Sequence, residues 1–246
     1  MSNPVLKDHL FIQSATKTQS MTLQGTVVKT FALLLLAATS ASWVWYNILK
    51  YTNAKVMFTY LFLGLIGGII IGFLTVLLRT WSALLAPLYA LFEGAFLGSI
   101  SFYFELRYPG IVLQALPLTF SLLFCMLFLY TIGLIKASRR LQTIIAISLG
   151  AFTMTVLIDW GLSMFSNFHL GILHGSTIWS IGFSLLLVII GALSLVMDFH
   201  FIEKRVKEGS PRYMEWYSAF GLMVTLVWIY LRVLDLISKL QDRKRR

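Results

Sequence analysis

The chain has 246 residues, of which 58% are hydrophobic and 12% charged, about half the charged share of an ordinary globular domain. A water-soluble fold of this length has no core large enough for so much apolar surface, so a soluble catalytic domain is excluded and a bilayer is the matching solvent. The net charge of +10 does not point to nucleic acid, because the basic residues sit between apolar runs and at the C-terminus and form no stripe interleaved with stacking aromatics.

Residues 1–26 are polar and lack the apolar stretch of a cleavable signal, and they read as an N-terminal tail. Crossing a hydrocarbon core of roughly 30 Å takes about 20 helical residues. Runs of that length occur at about 27–49, 56–78, 82–104, 110–134, 141–165, 177–202 and 216–239. They are too long for barrel strands, and a chain inside hydrocarbon must satisfy its own backbone. The fold class is therefore an all-α integral membrane protein, a seven-transmembrane-helix bundle over 27–240 followed by a basic tail at 241–246.

Local signals support the segmentation. Pro109-Gly110 opens the fourth run and Gly209-Ser210-Pro211 breaks the chain before the seventh. Trp43, Trp45, Trp81, Trp216 and Tyr217 mark interfaces. Gly64, Gly68 and Gly72 recur every four residues on the second helix, and Gly94 and Gly98 do so on the third, a spacing that lets helix backbones approach closely. The lone Cys125 excludes an internal disulfide.

Loop charge sets the expected orientation. With the N-terminus inside, Arg79, Lys136, Arg139, Arg140, Lys204, Arg205, Lys207 and Arg212 face the cytoplasm, against Lys50, Lys55 and Arg107 outside. Arg243 to Arg246 then fall outside if the seventh run spans fully, which leaves a spanning and a re-entrant reading both open.

Four acids lie at bilayer depth, where an ionisable group costs a few kcal/mol or more and marks a functional candidate. Asp198, about four residues from the inner end of the sixth run, is placed to pair with Arg79. Glu93 lies mid-depth on the third, and Asp159 and Asp235 lie towards the outer side, where they are able to neighbour one another. Such a spread of depths suits a cation or proton path. The plain alternatives are an intrahelical pairing of Asp235 with Arg232 or Lys239 and a solvated, interfacial Asp159 or Asp198. Enzyme readings fail on the residues: His169 and His174 beside Ser166 and Ser176 form no nucleophile elbow, no His-Glu-x-x-His occurs, and Lys239 sits at a helix end instead of mid-helix. No metal site or cofactor is expected.

The stretches Ala86-Pro87-Leu88-Tyr89-Ala90-Leu91-Phe92-Glu93-Gly94, Glu105 to Ala115, Asp198-Phe199-His200-Phe201-Ile202-Glu203 and Tyr213 to Gly221 resemble the Bax-inhibitor family, the transmembrane Bax-inhibitor-motif proteins, in its bacterial branch. The resemblance implies seven helices around a central seventh. It also implies, for some members, a pH-sensitive calcium leak with a latch of two aspartates on helices six and seven and an arginine after helix two. Asp198 matches the helix-six aspartate and Arg79 the arginine. Thr225 stands where helix seven would carry the second aspartate, Asp235 lies three turns further along, and Glu93 substitutes for an acid missing from helix two. The implied setting is a bacterial inner membrane. The partners expected are the bilayer, Ca2+ or protons, and, on a competing reading, other membrane proteins that the bundle modulates without transport.

Overall fold

A peptide group in hydrocarbon has no water to bond, so each apolar run folds into a helix that satisfies its own backbone. The computed structural model describes residues 20–51, 54–166 and 170–245, and among them seven such helices are long and apolar enough to cross a membrane. They are α1 (Leu23–Tyr51), α2 (Ala54–Leu77), α3 (Ser82–Arg107), α4 (Ile111–Thr131), α5 (Arg139–Ser166), α6 (Ile178–Lys207) and α7 (Tyr213–Arg245). A 3-10 turn, Arg79–Trp81, leads into α3, and a helical turn, Gly171–His174, precedes α6. Of the polar tail, residues 1–19 lie outside the described residues, as does His169, and α1 begins at Leu23, inside the stretch read as tail.

The helices extend past the apolar runs because charged residues at an interface continue a helix without entering hydrocarbon. The largest differences are in the last two. α6 continues through Glu203 and Lys204 to Lys207, and α7 takes the basic 241–245 segment into its own last turns. At 1.5 Å per residue, the 33 residues of α7 extend about 50 Å, well beyond the hydrocarbon thickness.

α7 occupies the middle of the bundle, against α1, α3, α4 and α6, and its apolar side chains Leu222, Met223, Leu226, Ile229, Val233 and Leu234 are buried. Its two ends are clasped on opposite faces. On the near face, where α1 begins, Met21 N–H donates to the Ser210 carbonyl at 2.7 Å and Ser82 Oγ donates to the Tyr213 carbonyl at 2.9 Å. On the far face, Arg245 Nη1 donates to the Arg107 carbonyl at 3.2 Å and stacks 5.4 Å from the Tyr108 ring. Burial, together with the Asp242 carboxylate, raises the Tyr108 phenol above its ordinary pKa. The seventh helix therefore runs from one face to the other, and the re-entrant reading is excluded by these two clasps.

The glycine ridges are spent on packing inside the bundle. A Cβ on Gly64 would strike the backbone of Phe92 and Phe96 on α3, and one on Gly94 or Gly98 would strike the backbone of α1 at Ala37 or Ala41. Only residues without side chains allow α1, α2 and α3 to sit this close. α5 is different. It leans on α6 through Ile145, Leu141 and Leu149 and reaches α7 with Phe152, while Ile147, Met154, Leu157, Trp160 and Phe165 face outward. In water such a surface would aggregate, and in a bilayer it is covered by lipid.

Candidate functional site

Antiparallel α6 and α7 pack side by side and bring the polar residues of both to one seam. Asp198 lies nine residues before the end of α6, about 14 Å from the near-face end. That is deeper than the four residues expected from the sequence, because α6 runs on to Lys207. The Thr225 side chain of α7 lies beside the Asp198 carboxyl, and its hydroxyl donates to the Gly221 carbonyl at 3.4 Å. One carboxyl oxygen, Oδ2, is buried and has no hydrogen-bond partner among the described residues.

Two further polar atoms of the seam share that condition: Ser218 Oγ, two turns nearer the near face on α7, and Arg205 Nε, two turns nearer it on α6. Between Ser218 and Thr225 stands Gly221, where an added Cβ would meet nothing within 4 Å. Asp198 Oδ2, Ser218 Oγ and an open glycine thus lie on the near-face half of one interface, whereas the Arg205 guanidinium pairs with Glu208 through Nη1 at 2.9 Å and a fourth unbonded atom, Arg232 Nε, lies on the far half of α7. Buried polar groups are ordinarily bonded, so unsatisfied ones mark places that strain, a reactive role, a water or an ion has to account for.

Arg79 does not pair with Asp198 in this structure. Its guanidinium lies 5.5 Å from the centre of the Tyr217 ring, and its side chain is exposed in the 3-10 turn before α3. Tyr217 precedes Thr225 by eight residues on α7, so Arg79 stands about 12 Å nearer the near face than Asp198 does. The cause is local: the one-turn helix holds the arginine at the level of the α7 N-terminus.

Glu93 lies eleven residues into α3, about 17 Å from the near face and close to the depth of Asp198. It is separated from that acid by α7. Its carboxyl lies beside the Tyr89 side chain one turn earlier on α3, stands 3.0 Å from the site of a Cβ on Gly68, and shares its surroundings with Phe220, against which Tyr89 packs edge-on at 4.8 Å. Asp159 accepts from the Leu170 N–H at 2.6 Å, tying the end of α5 to the loop that follows.

The Asp235 carboxylate has two partners among the described residues, both on Oδ2. It lies 3.0 Å from Lys239 Nζ and accepts from Ser184 Oγ of α6 at 2.7 Å, while Lys239 Nζ in turn donates to Ser184 Oγ at 2.7 Å. The intrahelical pairing with Lys239 is therefore present. Arg232, three residues earlier, turns away and lies 4.9 Å from Phe152 and 5.7 Å from Trp228. Between this cluster and Asp198 the seam is apolar: Leu187 and Leu195 are buried, and Gly191 lies so close to Trp228 and Ile229 that a Cβ would come within 2.6 Å.

Two charged residues of consequence gave no sign in the sequence. Glu215, in the first turn of α7, is buried and takes Lys29, the Thr22 N–H and the Thr22 hydroxyl, fixing α1 to α7. Glu105 accepts from Gly110 N–H at 2.6 Å and Val112 N–H at 3.1 Å and so caps α4 from the end of α3; the turn needs Gly110 at φ 83°. The first contact depends on how the helices pack, and the second on the tight turn between α3 and α4.

A groove of about 840 Å³ opens between α1, α4 and α6, with Leu34, Leu123, Phe124 and Phe199 among its walls and Lys136 and Glu203 at its rim. None of the four intramembrane acids lines it. Among the described residues, no group of three or more His, Cys, Asp or Glu is placed to hold a metal ion.

The family model described as Bax inhibitor 1 like matches residues 3–242. No curated protein and no solved structure matches the chain.

Proposed function

The chain belongs to the Bax inhibitor 1 like family, and from that premise we propose that it is a passive cation leak of the membrane, conducting Ca2+ and regulated by the protonation of Asp198. The observation that carries the reading is the Asp198 carboxyl, held at bilayer depth with one oxygen buried and unbonded and no cation paired with it. A buried acid in that condition is neutral or must recruit a cation, so its charge state is coupled to proton and cation occupancy. Thr225 takes the place of a second aspartate. A hydroxyl bonds either charge state and gives no like-charge repulsion, so a single carboxyl titrates here instead of a coupled pair.

The near-face end of the α6–α7 seam is the side from which protons and cations reach Asp198. On this reading that face is the cytoplasmic one and the membrane a bacterial inner membrane, with Arg79 at the seam's mouth as the partner recruited when the helices shift; the loop cations favour this orientation, and the basic end of α7 lies on the opposite face. Glu93 provides a second acid at similar depth, and Asp159 and Asp235 stand towards the exit. No chemical transformation of a substrate is part of this reading.

A second reading has one observation in its favour. The largely uncovered α5 carries Gly150 and Gly161, where a Cβ would meet nothing, a surface on which a helix of another membrane protein is able to dock. The test between the two is Ca2+ flux into dye-loaded proteoliposomes from pH 5 to 8. The leak predicts flux whose pH profile is flattened in Asp198→Asn. Flux no greater than that of empty liposomes at every pH would overturn it in favour of docking.

A further inference from the structure

Lys239 points the wrong way for a lysine near a membrane surface. It lies six residues from the end of α7, about 9 Å from the far-face terminus, within reach of interfacial water by its own four-carbon stem. Its ammonium turns inward instead, to Asp235 and Ser184, and the residue is 6% exposed. Burying an ammonium costs several kcal/mol that only close partners offset. Its two contacts are the carboxylate at 3.0 Å and the hydroxyl at 2.7 Å, the two oxygens that an inorganic cation entering the seam from the far face would take.

We infer that Ser184 and Asp235 form a second cation site, at the far-face end of the α6–α7 seam, and that Lys239 occupies it as a tethered cation. The inference rests on the cation-leak reading for its purpose, and its chemistry is that of a site for small monovalent cations. One carboxylate and one hydroxyl fall well short of the six to eight oxygens that Ca2+ takes, whereas a primary ammonium is already seated there. The surrounding charge agrees. Of the two cations beside Asp235, Arg232 is turned onto the Phe152 and Trp228 rings, so Lys239 alone fills the oxygen pair. The Asp235 side chain remains 28% exposed, so the oxygens are not sealed. α6 begins at Ile178, six residues before Ser184, which puts the hydroxyl about 9 Å from the far-face end of that helix as well. The seam thus holds an unpaired acid towards one face and a self-occupied acid towards the other, with the Gly191–Trp228 contact between them.

The experiment is thermal unfolding of the purified full chain in detergent, titrated with sodium chloride against choline chloride at constant ionic strength. Lys239→Ala is expected to gain a saturable, sodium-dependent rise in Tm, since a ligand that binds only the folded state stabilises it by mass action. Propylammonium, which restores the missing amine, should act at lower concentration than sodium. Wild type should show neither response, and Lys239→Ala/Asp235→Asn should lose both. Lys239→Gln, which keeps a polar stem, serves if the alanine variant does not fold and should respond to sodium in the same way. A Tm for both lysine variants that is indifferent to sodium and propylammonium, or a response that survives Asp235→Asn, would overturn the inference and leave the cluster as a strut between α6 and α7. Because the readout is binding, it stands apart from flux. A silent liposome assay with sodium-responsive Lys239→Ala would sink the leak reading alone, and an Asp198-dependent leak with an unresponsive Lys239→Ala would sink this inference alone.

Discussion

Asp198 and Asp235 lie on the same seam between α6 and α7, yet one has a buried oxygen with no partner and the other holds a cation and a hydroxyl. The difference is in what faces them. Across from Asp198 stand Thr225 and the open Gly221, whereas Asp235 has Lys239 one turn along its own helix and Ser184 opposite. A charge in hydrocarbon persists only when a counter-charge and hydrogen bonds offset its desolvation. Asp235 is thereby held by a cation and a hydroxyl and ties α7 to α6. Asp198 has no such hold, which makes it the group whose occupancy can change.

The largest expected effect breaks the satisfied member. Asp235→Asn leaves the Lys239 ammonium buried without its carboxylate and should cost about 3–5 kcal/mol of stability, whereas replacing Asp235 and Lys239 together with apolar residues of similar volume should be near neutral. Thermal unfolding of the single and double variants checks this, and additivity of the two single changes would contradict the pairing. Next in size is the apolar contact between the two acids. Gly191→Ala drives a methyl into Trp228 and Ile229 and should cost about 1–3 kcal/mol, while Gly221→Ala, facing open space, should cost no more than a few tenths of that. Equal losses would remove the contrast between a closed middle and an open near-face half. Asp198→Asn comes after these, with stability unchanged to within about 1 kcal/mol or slightly improved, because no ion pair is broken. A loss as large as that of Asp235→Asn would mean that Asp198 is structurally paired. Arg79→Ala is of the same small order, since it removes an exposed stacking contact on Tyr217 worth about 0.5–1 kcal/mol.

The seven spans were legible because apolar runs of bilayer length have few alternatives, and the i,i+4 spacing of Asp235 and Lys239 made their pairing legible as well. The depth of Asp198 was misjudged. The apolar run ends at Ile202, but α6 continues for a further turn through Glu203 to Lys207, since interfacial charges sit comfortably in a helix. The contacts that define each acid's state were not legible. Ser184 lies 51 residues from Asp235, and Lys29 lies 186 from Glu215, and hydropathy sets neither the rotation of a helix about its axis nor its neighbour. The position of Arg79 was hidden for a related reason, since a one-turn 3-10 helix decides whether it faces Asp198 or Tyr217.

Whether the Asp198 carboxyl carries a pH response is read most directly from cation flux through proteoliposomes from pH 5 to 8. Asn in place of Asp198 mimics the protonated acid, so the account predicts flux held at the acid-side level of wild type across the whole range. A variant whose flux follows the wild-type pH profile would contradict it.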